Sequence, residues 1–141
     1  MSAELKFHYT VDPDDFARAG ETSSTVKKKL NQLGFSPEIV RKTAISMYEG
    51  EINMVIHADG GTIDVDIFPD RIEITMKDKG PGIPDIEKAM QAGFSTADHS
   101  VRELGFGAGM GLPNMKKYSD EMYIDTEIGV GTTVKLVIKS A

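Results

Sequence analysis

Four groups of residues in this chain combine types and spacings that could do chemistry. Glu49 and Asn53 stand four apart, so on a helix they share one face about one turn from each other. Asn is a poor interior helix residue, and its side-chain oxygen is a hard donor suited to Mg2+. A carboxylate one turn away could take a proton from an attacking hydroxyl or water. The plain alternative is a solvated polar stripe. Glu51 is near in sequence but falls well off this face and is the weaker candidate base.

Asp78, with Gly80 and Gly82 behind it, forms the second group. Strand alternation puts Asp78 on the face of Ile72, Ile74 and Met76, so its carboxylate should point toward the core. A buried carboxylate is costly unless something donates to it. Two glycines one residue apart allow close backbone approach to a flat ligand. A carboxylate beside them can accept from an exocyclic amine such as that of adenine. The other reading is that Asp78 merely caps a turn.

The third group is Gly105-Phe106-Gly107-Ala108-Gly109-Met110-Gly111, running directly into a helix. Free N–H groups and the helix dipole make such a segment an anion site, unless it is only a flexible surface loop. It lacks the Lys-Ser/Thr of a Walker A loop, and Met110 stands where a dinucleotide fingerprint needs its third glycine. Fourth comes Gly131-Thr132-Thr133 before the last strand. Thr132 shares a face with Val134, Leu136 and Ile138, so its hydroxyl should point inward, either to a ligand or to its own backbone.

These groups need elements to position them. The 141 residues suit one domain, 40% of them hydrophobic and 27% charged. With 16 basic and 22 acidic residues the net charge is −6, which argues against nucleic acid or an anionic membrane as the main partner. The chain has no cysteine, and its three histidines share no metal-ligand spacing. No signal-peptide pattern and no apolar run of membrane length is present, so the expected location is cytoplasmic.

Leu5, Phe7 and Tyr9 alternate with polar residues as in a half-buried strand. Asp12-Pro13 should open a helix with a stripe at Phe16, Ala19, Ser23, Val26, Leu30 and Leu33, ended by Gly34. Ser36-Pro37 should cap a second helix running to about Ala58. Its expected core stripe is Val40, Ala44, Met47 or Tyr48, Ile52 and Val55; the opposite stripe is Lys42, Ser46, Glu49, Asn53 and His57. Two strands around Ile63–Ile67 and Ile72–Met76 flank a tight turn at 68–71. A short helix from Pro84 to about Gln91, a loop over 92–111 and a helix from about Leu112 to Ser119 follow. Two last strands fall near 121–126 and 132–139. Paired strands set apart from helices predict an α+β fold, with helices layered on a mainly antiparallel sheet.

In order and spacing, the four groups resemble the GHKL ATPase superfamily, which includes gyrase B, the ninety-kilodalton heat-shock chaperone and histidine kinases. Asp78-Lys79-Gly80-Pro81-Gly82-Ile83-Pro84-Asp85-Ile86 and Gly93-Phe94-Ser95-Thr96 resemble in particular the small anti-sigma factors and the stressosome-type switch serine/threonine kinases. The resemblance spans nearly everything from about residue 36 onward. It implies a two-layer α/β sandwich, the Bergerat ATP-binding fold, as a single domain over residues 1–141, with ATP and Mg2+ as cofactors. Glu49 would be the general base and Asn53 the Mg2+ ligand. Asp78 would bind the adenine amine, Gly82 would back the base and Thr132 would add a contact through its hydroxyl, with Gly80 and Ile83 also among the nucleotide-binding residues. Gly105, Gly107, Ala108, Gly109, Met110 and Gly111 would cradle the phosphates under a lid in which Arg102 is the basic residue. The implied activity is phosphorylation of a serine or threonine on a small STAS-domain, anti-anti-sigma partner, with sequestration of a sigma factor as a second role and a homodimer left open. The competing expectation is a non-catalytic binding module that ATP switches.

Overall fold

The computed structural model describes residues 5–12, 20–57, 60–80 and 111–140. Five strands make one sheet: β1 (Leu5–Val11), β2 (Gly61–Ile67), β3 (Arg71–Asp78), β4 (Glu121–Glu127) and β5 (Gly131–Lys139), in the order β1-β2-β3-β5-β4. Every neighbouring pair is antiparallel. Three helices, α1 (Glu21–Gln32), α2 (Pro37–His57) and α3 (Gly111–Tyr118), contribute to the core against one face of the sheet. The expected α+β layering is therefore the observed one. None of the described helices is long and apolar enough to cross a membrane.

Alternation fixes which face of the sheet is covered. Ile63, Val65, Ile72, Ile74, Leu136 and Ile138 are wholly buried. Each such side chain contributes about 1.5–3 kcal/mol of burial. A one-residue slip would turn all of them outward, so the register is strongly determined. The expected turn at 68–71 is closed by the Phe68 N–H donating to the Arg71 carbonyl over 2.9 Å.

The open face carries charge. Glu73 on β3 accepts from Arg71 Nε at 2.7 Å and lies 2.8 Å from Lys135 Nζ on the neighbouring β5. The Lys135 ammonium chiefly, and then Arg71, hold the Glu73 carboxyl below its usual 4.5, while its partial burial works the other way. A depressed value means that the stabilisation is complete above pH 4.5 and is lost as pH falls through the lower folded-state value. Glu73→Gln should therefore lower stability at pH 7 by about 0.5–1 kcal/mol. In urea titrations across pH, the gap between wild type and variant should close in strong acid.

Two sequence expectations for the helices are corrected. The first helix does not run on unbroken from Asp12-Pro13. Gly20 has φ +90°, a left-handed conformation that no continuous helix contains, and α1 begins at Glu21. Phe16 and Ala19 of the expected stripe lie outside the described residues, and Leu33 is 47% exposed because α1 ends before it. The stop itself is as expected. Gly34, at φ +85°, and Phe35 donate back to the Asn31 and Leu30 carbonyls, which is a Schellman motif.

The second correction concerns the face of α2. Its innermost residues are Val40, Thr43, Met47, Gly50 and Met54, whereas Tyr48 is 41% exposed and Ala44 half-buried. The central line is turned from the expected one because α2 is flanked by α1 on one side and α3 on the other. Ile52 and Val55 are still buried, at 5% and 2% exposure.

Glu51 is buried on the side of α2 that meets α1. α1 has no side-chain cap of its own. Instead Glu51 Oε2 accepts from the backbone N–H of Gly20 and Thr22, both at 3.1 Å. Its Oε1 accepts from the Ser23 N–H at 3.0 Å and the Ser23 hydroxyl at 2.8 Å. A carboxylate from another helix thus satisfies the first orphan donors of α1 and complements its dipole.

Candidate functional site

Asp78 ends β3 and is half-buried on the covered face. Its Oδ1 accepts from the N–H of Gly80 and from the N–H of Thr132, each at 2.9 Å. The first bond closes a tight turn into the glycine segment. The second continues the β3–β5 ladder beyond its last backbone pair, Lys77 with Thr133. Among the described residues both bonds fall on Oδ1. The carboxylate shapes the turn, as the capping reading expects, and it is half-buried.

Glycines stand on both sides of Asp78 in the sheet. A Cβ at Gly61 would lie 2.9 Å from the Asp78 Cα, and one at Gly131 would lie 2.2 Å from the Asp78 carbonyl oxygen. Gly131 also has φ +150°, so a side chain there is strained as well as crowded. Gly131→Ala should cost about 2–4 kcal/mol, since backbone cannot yield as a side chain can. A urea titration checks this.

Thr132 is buried, and its hydroxyl meets that of Thr126, its register partner on β4, at 2.9 Å. The expected inward hydroxyl is present and bonded across the hairpin, while the backbone N–H of the same residue serves Asp78. Thr132 thus ties the β4–β5 hairpin to the turn at Asp78.

On α2, Glu49 and Asn53 are both half-buried, one turn apart on the flank facing α3. Glu49 Oε1 accepts from Asn114 Nδ2, on α3, at 3.1 Å. A Cβ at Gly50 would sit 2.2 Å from the Met76 sulfur and 3.6 Å from the Met115 sulfur. That near contact seats the turn bearing Glu49 against β3, two residues before Asp78, and against α3 beside Asn114. The two clusters are joined through this one packing point.

Gly80 is buried and Gly111 begins α3. Gly82, Ile83, Gly105, Gly107, Ala108, Gly109 and Met110 lie outside the described residues, as do Arg102 and the expected helix from Pro84 to Gln91. Two bonded residues were not found by spacing: Asn114, which meets Glu49, and Glu51, which holds the start of α1. Asn114 was signalled only as an Asn, a poor helix former, in the first turn after a glycine run. Glu51 gave no local signal, because the amides it caps are 28 to 31 residues away in the chain.

Asp78 at the end of β3 with glycines on both sides of it, and Glu49 with Asn53 one turn apart on α2, are the parts of the candidate site among the described residues. Residues 52–141 match the family described as histidine kinase-, DNA gyrase B-, and HSP90-like ATPase. The chain belongs to this family. The matched span contains Asn53, Asp78, Gly80 and Thr132, with Glu49 three residues ahead of it. ATP is the nucleotide such a domain takes.

Relatives agree over most of the length. The chain is 32% identical over 127 residues to serine/threonine-protein kinase RsbT of Bacillus subtilis, covering 87% of each protein. It is 32% identical over 139 residues to the anti-sigma F factor of Caldanaerobacter subterraneus subsp. tengcongensis, covering 94% of this chain and 90% of that one. Among solved structures, the RsbU and RsbW domains of a Mycobacterium tuberculosis protein superpose with a TM-score of 0.65 at 16% identity, over 95% of this chain. This chain spans 32% of that longer one. A structure of the SiaB–SiaC complex of Pseudomonas aeruginosa superposes with a TM-score of 0.59 at 14% identity, covering 96% of this chain and 89% of that one. At such identities these structures speak for the fold alone.

Proposed function

We propose that this chain is an ATP-dependent serine/threonine protein kinase of the anti-sigma regulatory type, acting as a single domain on a small STAS-domain, anti-anti-sigma partner. The observation that carries the reading is the placement of Glu49: half-buried on the rigid α2, bonded to α3, one turn from Asn53. The names of RsbT and of the anti-sigma F factors support it. A neighbour solved as a complex, SiaB with SiaC, supports a protein partner.

The donor set fits the nucleotide and its metal. Asp78 Oδ2 would accept from the adenine amine, with Gly80, Gly82 and Ile83 against the base and Thr132 holding the hairpin around it. The glycines up to Gly111 would cradle the phosphates. Asn53 would hold Mg2+ through its amide oxygen, the ion serving to neutralise charge on the phosphates. Glu49 would take the proton as the partner's hydroxyl oxygen bonds to the γ-phosphorus and the bond from that phosphorus to ADP breaks. Sequestration of a sigma factor by the same domain, in a homodimer, in the cytoplasm, completes the proposed role.

The test is direct. Protein, γ-labelled ATP and a small STAS-domain protein are mixed, and the partner is recovered. Acid-stable label on a partner serine or threonine is the expected result. Tight ATP binding with no transfer to any such partner would instead make the chain a nucleotide-switched binding module.

A further inference from the structure

Asn114 lies outside the four groups that spacing picks out, yet its side chain donates to Glu49. The Nδ2 to Oε1 distance is 3.1 Å, and both residues are half-buried. An amide N–H donor facing a carboxylate fixes which way that carboxylate turns, because the amide itself is held by packing. Met115, next in the chain, is 1% exposed and lies near Gly50, the residue after Glu49. Both partners are thus anchored by neighbours in the core.

The position of Asn114 gives the bond its meaning. α3 starts at Gly111, the last glycine of the run proposed to hold phosphates, and Asn114 stands within its first turn. Pro113 beside it is accommodated there, since the first-turn N–H has no intrahelical acceptor to lose. A displacement of this turn moves the donor that aims Glu49.

We infer that Asn114 is a positioning residue for the proposed base: it orients the Glu49 carboxylate and couples that orientation to the helix that follows the glycine run. The inference rests on Glu49 being the base, and the two ideas fail differently.

Two substitutions separate orientation from packing. Asn114→Ala deletes the donor. Asn114→Asp keeps the shape but faces one carboxylate with another. Loss of alignment at a reacting group costs about 10- to 100-fold in rate. Transfer at saturating ATP should fall by about that factor in Asn114→Ala and further in Asn114→Asp, with ATP affinity and urea midpoint near wild type. Adding Asn114→Ala to Glu49→Ala should slow residual transfer no further, because the two residues act as one unit.

Several results overturn the inference. Wild-type rates in both Asn114 variants, with Glu49→Ala inactive, remove Asn114 alone. Equal losses of rate, affinity and stability make its role one of packing. Additive losses in the double variant place its action elsewhere. Full transfer by Glu49→Ala removes the base reading and the inference with it.

Discussion

Glu51→Ala is expected to cost the domain a large part of its stability. The carboxylate accepts four hydrogen bonds, three from the backbone at the start of α1, in a site 2% exposed to solvent. Removing it strands buried donors, each costing about 1–3 kcal/mol, partly offset by relaxation and water. A total of about 3–5 kcal/mol follows, a large part of the roughly 5–15 kcal/mol that holds such a domain together. Glu51→Gln keeps one acceptor oxygen but turns an NH2 toward an N–H, so about half that loss is expected. Chemical denaturation measures both, and amide exchange at Thr22 and Ser23 should quicken in proportion. A loss below about 1 kcal/mol for the alanine variant would mean that the cap contributes nothing beyond a surface pair.

Asp78→Asn should do the reverse, sparing the fold and removing the ligand. The amide oxygen can still accept from Gly80 and Thr132, the two bonds that shape the turn. The NH2 then takes the place of Oδ2 and opposes the adenine amine, donor against donor. An unpaired donor pair in a closed site costs about 2–3 kcal/mol, or 30- to 150-fold in affinity. Titration with ATP should show a dissociation constant raised by about 10²-fold, with an unchanged urea midpoint. Retained affinity would mean that the base is read elsewhere.

These two residues show what a sequence displays and what it hides. Asp78 was legible because β3 alternates: Ile72, Ile74 and Met76 set the phase, and the next residue in phase is a carboxylate followed by glycines. The sheet as a whole was legible for the same reason, since one face is covered and the other carries charge. α2 was read with its central face turned, because a helix covered by helices on two flanks buries small and polar residues, Thr43, Ser46, Gly50 and Glu51 among them. The break at Gly20 was missed because 3,4-spaced residues on both sides keep phase across it. Glu51 and Asn114 act through partners distant in sequence, and spacing cannot reveal a contact made by tertiary packing.

The measurement that tests the whole account is a single-turnover comparison of wild type with Glu49→Ala. Enzyme loaded with γ-labelled ATP is mixed with excess STAS-domain partner and quenched over time. Positioning without proton abstraction leaves binding intact, so the variant should hold ATP within about threefold of wild type while transfer falls by about 10²- to 10⁴-fold. Transfer by Glu49→Ala at the wild-type rate would contradict the account.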